Sequence, residues 1–215
     1  MIFLFSACTQ NAKNEQPEVT YTQNAEEGQL ETDYTQNTED ERFETNYEYL
    51  LKNLKNPIIV EENQYYRLYR DENFMWLYVI FDKDGNEVKS NQYSRYPHIA
   101  VLDNKIISVS VQAGTGIETR WIYFYDVENG VLSDVFYSVF EQYDNRIIKG
   151  THNSIIVRDI FDETKFFKEF EDFEGMSQNT AFPFVDAEFV DNGQKISVIY
   201  MGESYEKITV TFDLI

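Results

Sequence analysis

One short pattern recurs along this chain and limits what it can fold into: an Asp-Asn pair, a basic residue and an isoleucine, each time leading into an apolar run. It reads Asp103-Asn104-Lys105-Ile106 and Asp144-Asn145-Arg146-Ile147, and it returns with two residues inserted as Asp191-Asn192-Gly193-Gln194-Lys195-Ile196. The intervals are 41 and 47 residues, and Asp71-Glu72-Asn73-Phe74 stands 32 residues upstream as a degenerate fourth copy. A second pattern, an aromatic followed by Asp, occurs at Phe81-Asp82, Tyr125-Asp126 and Phe161-Asp162, at intervals of 44 and 36 residues. Asp and Asn favour turns because their side chains accept hydrogen bonds from backbone amides a few residues ahead. Turn chemistry recurring at such a period predicts one supersecondary unit built several times over.

The runs between these turns have the period of strands. Residues 207–212 alternate strictly, and residues 105–111 put Ile107, Val109 and Val111 on one face. Trp121-Ile122-Tyr123-Phe124-Tyr125 is apolar on both faces, as a central strand requires. Further turns are marked by Asp82-Lys83-Asp84-Gly85-Asn86 and Glu128-Asn129-Gly130. Short strands joined by short turns predict antiparallel sheet over residues 57–215, in about four units of about four strands each.

Two segments resemble a known family. Glu188-Phe189-Val190-Asp191-Asn192-Gly193-Gln194-Lys195-Ile196-Ser197-Val198 resembles the blade turn of TolB-type and WD40-like β-propellers. Trp121-Ile122-Tyr123-Phe124-Tyr125-Asp126-Val127-Glu128-Asn129-Gly130 is similar to their third strand and the turn after it. The resemblance spans residues 65–215 and implies an all-β fold of antiparallel propeller-like repeats, about four units. The chain has no Trp-Asp dipeptide and no Gly-His pair. Four blades are also fewer than most propellers close with, which leaves three forms open: an open array, a barrel-like closure, or a ring completed by a second chain.

The beginning of the chain carries an address. Met1-Ile2-Phe3-Leu4-Phe5-Ser6-Ala7-Cys8 resembles the end of a bacterial lipoprotein signal peptide, in which the cysteine receives a lipid. That resemblance implies lipid attachment at Cys8 and an extracytoplasmic, membrane-anchored protein at the bacterial cell surface. No Lys or Arg precedes Cys8, so the resemblance also implies a true start upstream of Met1. Residues 9–38 hold few large aliphatic side chains, and by residue 45 ten acids stand against two bases. Such a stretch buries too little apolar area to offset the ordering of its backbone, which predicts a disordered, extended acidic linker. Over residues 39–55, Thr38 and Glu41 form a capping-box pattern, and Phe43, Tyr47, Leu50, Leu51 and Leu54 fall on one helical face. This predicts one amphipathic helix packed on the β domain and ended at Asn56-Pro57.

Charge and chemistry narrow the function. A net charge of -20 repels nucleic acid phosphates, so no nucleic acid partner is expected. A single cysteine excludes an internal disulfide and any cysteine-based zinc site. Asp82-Lys83-Asp84-Gly85-Asn86-Glu87 offers alternating oxygens, but without the spacing of a calcium loop it reads as a hairpin turn. His98 and His152 have no histidine neighbours in sequence, and Ala113-Gly114-Thr115-Gly116 lacks the Lys of a phosphate loop. No catalytic, metal or cofactor-binding residue is therefore assigned, and no cofactor is expected. The reading that remains is a binding or scaffold module for an envelope protein, peptide or glycan, with Trp76 and Trp121 as ligand-contacting aromatics. The alternative is a glycosidase-like carbohydrate-active enzyme using two of the 38 acids as paired carboxylates.

Overall fold

The computed structural model describes residues 47–102 and 105–215. Cys8, the 9–38 linker, the first part of the expected helix and the Asp103-Asn104 pair lie outside the described residues. Within them, antiparallel strands follow one another along the chain into four sheets, as an all-β antiparallel reading expects. The first sheet holds β1 (Ile58–Glu62), β2 (Tyr66–Arg70), β3 (Trp76–Phe81) and β4 (Glu87–Tyr93). The second holds β5 (His98–Val101), β6 (Ile106–Gln112), β7 (Arg120–Asp126) and β8 (Val131–Leu132), with β9 (Phe136–Tyr137) also paired to β7. The third holds β10 (Val139–Tyr143), β11 (Arg146–Gly150), β12 (Ile155–Asp159) and β13 (Phe167–Phe170). The fourth holds β14 (Phe184–Val190), β15 (Lys195–Met201) and β16 (Lys207–Asp213).

The recurring sequence patterns occupy equivalent positions in these sheets. Asp144-Asn145 and Asp191-Asn192 turn the first strand of their sheet into the second, and Asp144, Asp191 and Asn192 take the left-handed φ values of 51°, 52° and 54° that Asp and Asn tolerate. Asp82, Asp126 and Asp162 stand at or just past the end of the third strand of the first three sheets. Each accepts backbone amides ahead of it: Asp84 and Asn86 for Asp82, Glu128 and Asn129 for Asp126, Thr164 for Asp162. One backbone hydrogen bond recurs in all four sheets, from the end of the third strand to the turn between the first two. It runs from Phe81 to Tyr65 (2.8 Å), Val127 to Lys105 (3.3 Å), Ile160 to Asn145 (2.7 Å) and Leu214 to Gln194 (2.8 Å), the amide donating each time. The first strand also shifts register at one place in the first, third and fourth sheets, between Ile59 and Glu61, Val139 and Glu141, and Phe184 and Asp186.

The degenerate copy at Asp71-Glu72-Asn73-Phe74 is a correction. It joins β2 to β3, so it is not equivalent to the other Asp-Asn turns. The matching turn of the first sheet is Asn63-Gln64-Tyr65, where the Asn63 side-chain oxygen Oδ1 accepts the backbone amides of Tyr65 and Tyr66. Asp71 does a different job. Its buried carboxylate accepts the amides of Asn73 and Met75 at 2.8 Å and of Lys55 at 3.2 Å, tying the segment after the helix to the first sheet. Burial alone would raise its pKa, but the amides of Met75, Lys55 and Asn73 outweigh burial and hold the carboxyl below its ordinary range.

Packing follows the two-residue period of the strands. Tyr66, Leu68, Tyr78 and Ile80 of the first sheet bury against Ile107, Val109, Tyr123 and Tyr125 of the second. The other face of the second sheet, through Ile106 and Phe124, meets Val139, Ile147 and Ile160 of the third unit. The third presents Ile148, Ile155 and Val157 to Ala187, Ile196, Val198 and Tyr200 of the fourth. Strands β3 and β7 are apolar on both faces because both faces are covered. Strand β16 alternates instead, with Ile208, Val210 and Phe212 inward and Lys207, Thr209 and Thr211 exposed. Among the described residues no hydrophobic cluster joins the fourth sheet to the first.

The outer face of the first sheet is covered by a helix, α1 (Tyr47–Lys52). Tyr47, Leu50, Leu51 and Leu54 pack on Tyr69, Leu77 and Val79. The helix ends three residues before the expected Lys55, because Asn53 and Leu54 already hydrogen-bond three residues back, to the carbonyls of Leu50 and Leu51. Gly193 shows how closely neighbouring units meet. Its φ is +73°, and a Cβ there would fall 2.6 Å from the Tyr143 ring and 2.7 Å from the Arg146 guanidinium. Among the described residues no helix is long and apolar enough to cross a membrane.

Candidate functional site

Strand β4 is an edge strand, and its alternation sends Lys89, Asn91 and Tyr93 to one face. The second sheet answers with Trp121 and Tyr123 from β7, and with Tyr137 of β9, which the register sets beside Trp121. Together with Val135 these side chains line a cleft of about 270 Å³. The Tyr93 and Trp121 rings lie 5.3 Å apart at 51°, and Trp121 runs nearly parallel to Tyr123 at 6.2 Å. Tyr137 is 59% exposed, so the mouth of the cleft is open to solvent.

Behind the cleft the phenols form a chain. Tyr123 donates its hydroxyl to that of Tyr78 at 3.0 Å, the Tyr78 and Tyr93 rings stack at 6.0 Å and 8°, and Asn91 donates its side-chain amide to the Tyr93 hydroxyl at 2.7 Å. Burial pushes the Tyr78 and Tyr123 phenols well above the ordinary tyrosine value and Tyr93 above it as well. Lys89 is the one base among the described lining residues, with its ammonium 4.5 Å from the centre of the Tyr123 ring. Burial lowers its pKa. Among the described residues no carboxylate pairs with it, whereas Lys55, Lys105 and Lys195 meet Glu72, Glu128 and Asp191.

The two tryptophans have different surroundings. Trp121 lines the cleft. Trp76 does not: it is half-buried, with the Tyr96 ring edge-on at 4.9 Å and the Arg70 guanidinium 5.7 Å away. Tyr96 and Tyr66 both donate to Glu61, at 2.8 and 3.0 Å. Burial and then the Glu61 carboxylate push the Tyr96 phenol up to about 12. Composition alone could not have found Lys89, Asn91 or Tyr93, since 87–93 mixes polar and apolar residues without a clear period.

A larger hollow, of about 350 Å³, is lined by turn residues including Asp82, Asp84 and Glu128. The Asp82 carboxylate is already occupied by the Asn86 side chain and the amides of Asn86 and Asp84, which hold its pKa down. Residues Asp82 to Asn86 thus form the hairpin turn between β3 and β4, and Glu87 opens β4. Among the described residues no three His, Cys, Asp or Glu side chains converge as a metal site requires. His152 contacts the Ala181 carbonyl and His98 lies against the Tyr96 ring. No protein-family model matches the chain, and no curated protein matches its sequence.

The buried phenols carry a pH dependence of definite sign. Their folded pKa values lie above the unfolded value of about 10, so the folded state holds protons that the unfolded state releases. The stability they contribute is complete below pH of about 10 and declines as pH rises above it. In an alkaline titration we expect two waves of phenolate absorbance, exposed tyrosines first and the buried ones only with loss of circular dichroism. A single wave with the sheet signal intact would contradict this.

Proposed function

We propose that the chain is a non-enzymatic binding or scaffold module, built of propeller-like repeats, lipid-anchored through Cys8 on the outside of a bacterial membrane, with the aromatic cleft as its ligand site. The anchoring part is supported by the apolar run ending Ser6-Ala7-Cys8. The propeller-like part is supported by four consecutive meander sheets that share a hydrogen bond at the same position. Their stacking one on the next favours an open array over a ring. One observation carries the binding part: the cleft is walled by four aromatic rings and one lysine, and among the described residues no Asp or Glu lines it. Rings beside a few polar groups suit recognition of a flat ligand. Hydrolysis of a glycoside ordinarily uses two carboxylates across the bond, and the described lining of this cleft holds none.

The test uses the full chain on glycan and peptide arrays, beside Tyr137→Ala, whose exposed ring can be removed without opening the core. Saturable binding that weakens by at least about tenfold in the variant is the expected result. Binding indifferent to Tyr137→Ala and Trp121→Ala, or turnover of a bound glycan, would refute the reading. For the anchor, Cys8→Ser is expected to move the chain from the membrane fraction to the soluble one on expression in a bacterium.

A further inference from the structure

We propose that the cleft takes a sugar ring bearing a carboxylate, a hexuronate unit on an otherwise neutral glycan, with the Lys89 ammonium meeting the carboxylate and Trp121 and Tyr137 meeting the ring. This rests on the cleft being the ligand site, and it adds the chemistry of the ligand.

The lysine argues for the carboxylate. The Lys89 ammonium is half-buried and faces the Tyr123 ring, and among the described residues no carboxylate pairs with it. A charge partly removed from water without an ionic partner is unfavourable, and an incoming carboxylate relieves that. The rings argue for a flat partner with apolar faces, set between the Trp121 plane and the exposed Tyr137. The Asn91 amide and the Tyr93 hydroxyl at the same wall offer both donors and acceptors. Beyond the bond they share, both keep hydrogen-bonding capacity that sugar hydroxyls can use and a simple aromatic acid uses less fully. The net charge of -20 argues against a polyanion, because long-range repulsion grows with every further negative charge on the ligand. A single acidic sugar on a neutral chain fits all four observations.

Calorimetry on the full chain would compare a xylo-oligosaccharide carrying one glucuronate with the unsubstituted xylo-oligosaccharide of the same length. The acidic sugar is expected to bind tighter by roughly tenfold or more, the range of one charged hydrogen bond. Lys89→Met keeps the apolar stem and removes the charge, and is expected to abolish that preference. Lys89→Arg is expected to retain the preference. A preference that survives Lys89→Met, or no binding of the acidic sugar, would overturn the inference. Equal affinity for both sugars, lost in Tyr137→Ala, would overturn the carboxylate assignment and leave the cleft as the ligand site. Sugar binding that ignores both Tyr137→Ala and Trp121→Ala would remove the cleft itself. If hydroxyphenylacetate binds through Lys89 and the acidic sugar does not, the ring is aromatic and the sugar assignment is wrong.

Discussion

Replacing Ile107 with alanine is expected to destabilise the protein by about 2–5 kcal/mol, the range for emptying a fully buried branched site. Ile107 is completely buried, in the cluster where the first and second sheets meet. Its neighbours there, among them Leu68, Tyr78 and Tyr123, belong to strands held in register by hydrogen bonds, so they cannot easily collapse into the space. At this chain length each kcal/mol moves the melting midpoint by about 2–4 °C, so the shift should be readily measured by calorimetry or circular dichroism. Val131→Ala is the control. Val131 is 42% exposed on the short edge strand β8, and its truncation is expected to change stability by no more than about 0.5 kcal/mol. Equal effects from the two substitutions would mean that the first two sheets are not packed through Ile107.

The second large effect concerns the phenols behind the cleft. Tyr78→Phe removes the acceptor of the Tyr123 hydroxyl and leaves that group buried without a partner, which should cost about 1–3 kcal/mol. The double variant Tyr78→Phe with Tyr123→Phe removes both polar groups and keeps both rings. It is expected to be more stable than the sum of the single losses predicts, because no orphaned hydroxyl remains. A double-mutant cycle by denaturant unfolding reads the difference directly. Strict additivity would show that the hydroxyl pair is not coupled. Tyr93 lines the cleft and its ring stacks on that of Tyr78, so the same substitutions report on how firmly the wall of the proposed site is held.

Much of the architecture was legible locally. Asp82, Asp126 and Asp162 make turns through hydrogen bonds to amides two to four residues ahead, so the side chain and its immediate neighbours suffice to specify them. Asp144 and Asp191 adopt left-handed backbone that few other residues accept. Strict alternation in 207–212 likewise assigns inward and outward residues with no knowledge of what lies opposite. Asp71 marks where such reading stopped. Its turn looks like the others in sequence, yet its carboxylate also reaches the Lys55 amide, sixteen positions back, and that contact gives it a different place in the first sheet.

The amino-acid sequence by itself determined the strands, their turns and the repetition of the unit, because each rests on contacts within a few residues or on a two-residue period. Only the tertiary structure decided which side chains share a site. Lys89 and Tyr93 come from one sheet and Trp121 and Tyr137 from the next, and face-to-face burial of Tyr78 and Ile80 against Val109 and Tyr123 brings them together. That same packing separated two tryptophans alike in sequence, leaving Trp121 at the cleft and enclosing Trp76 against Tyr96 and Arg70. Apolar burial has no direction along the chain, so its pairings across thirty or more residues are settled by the fit of whole sheets.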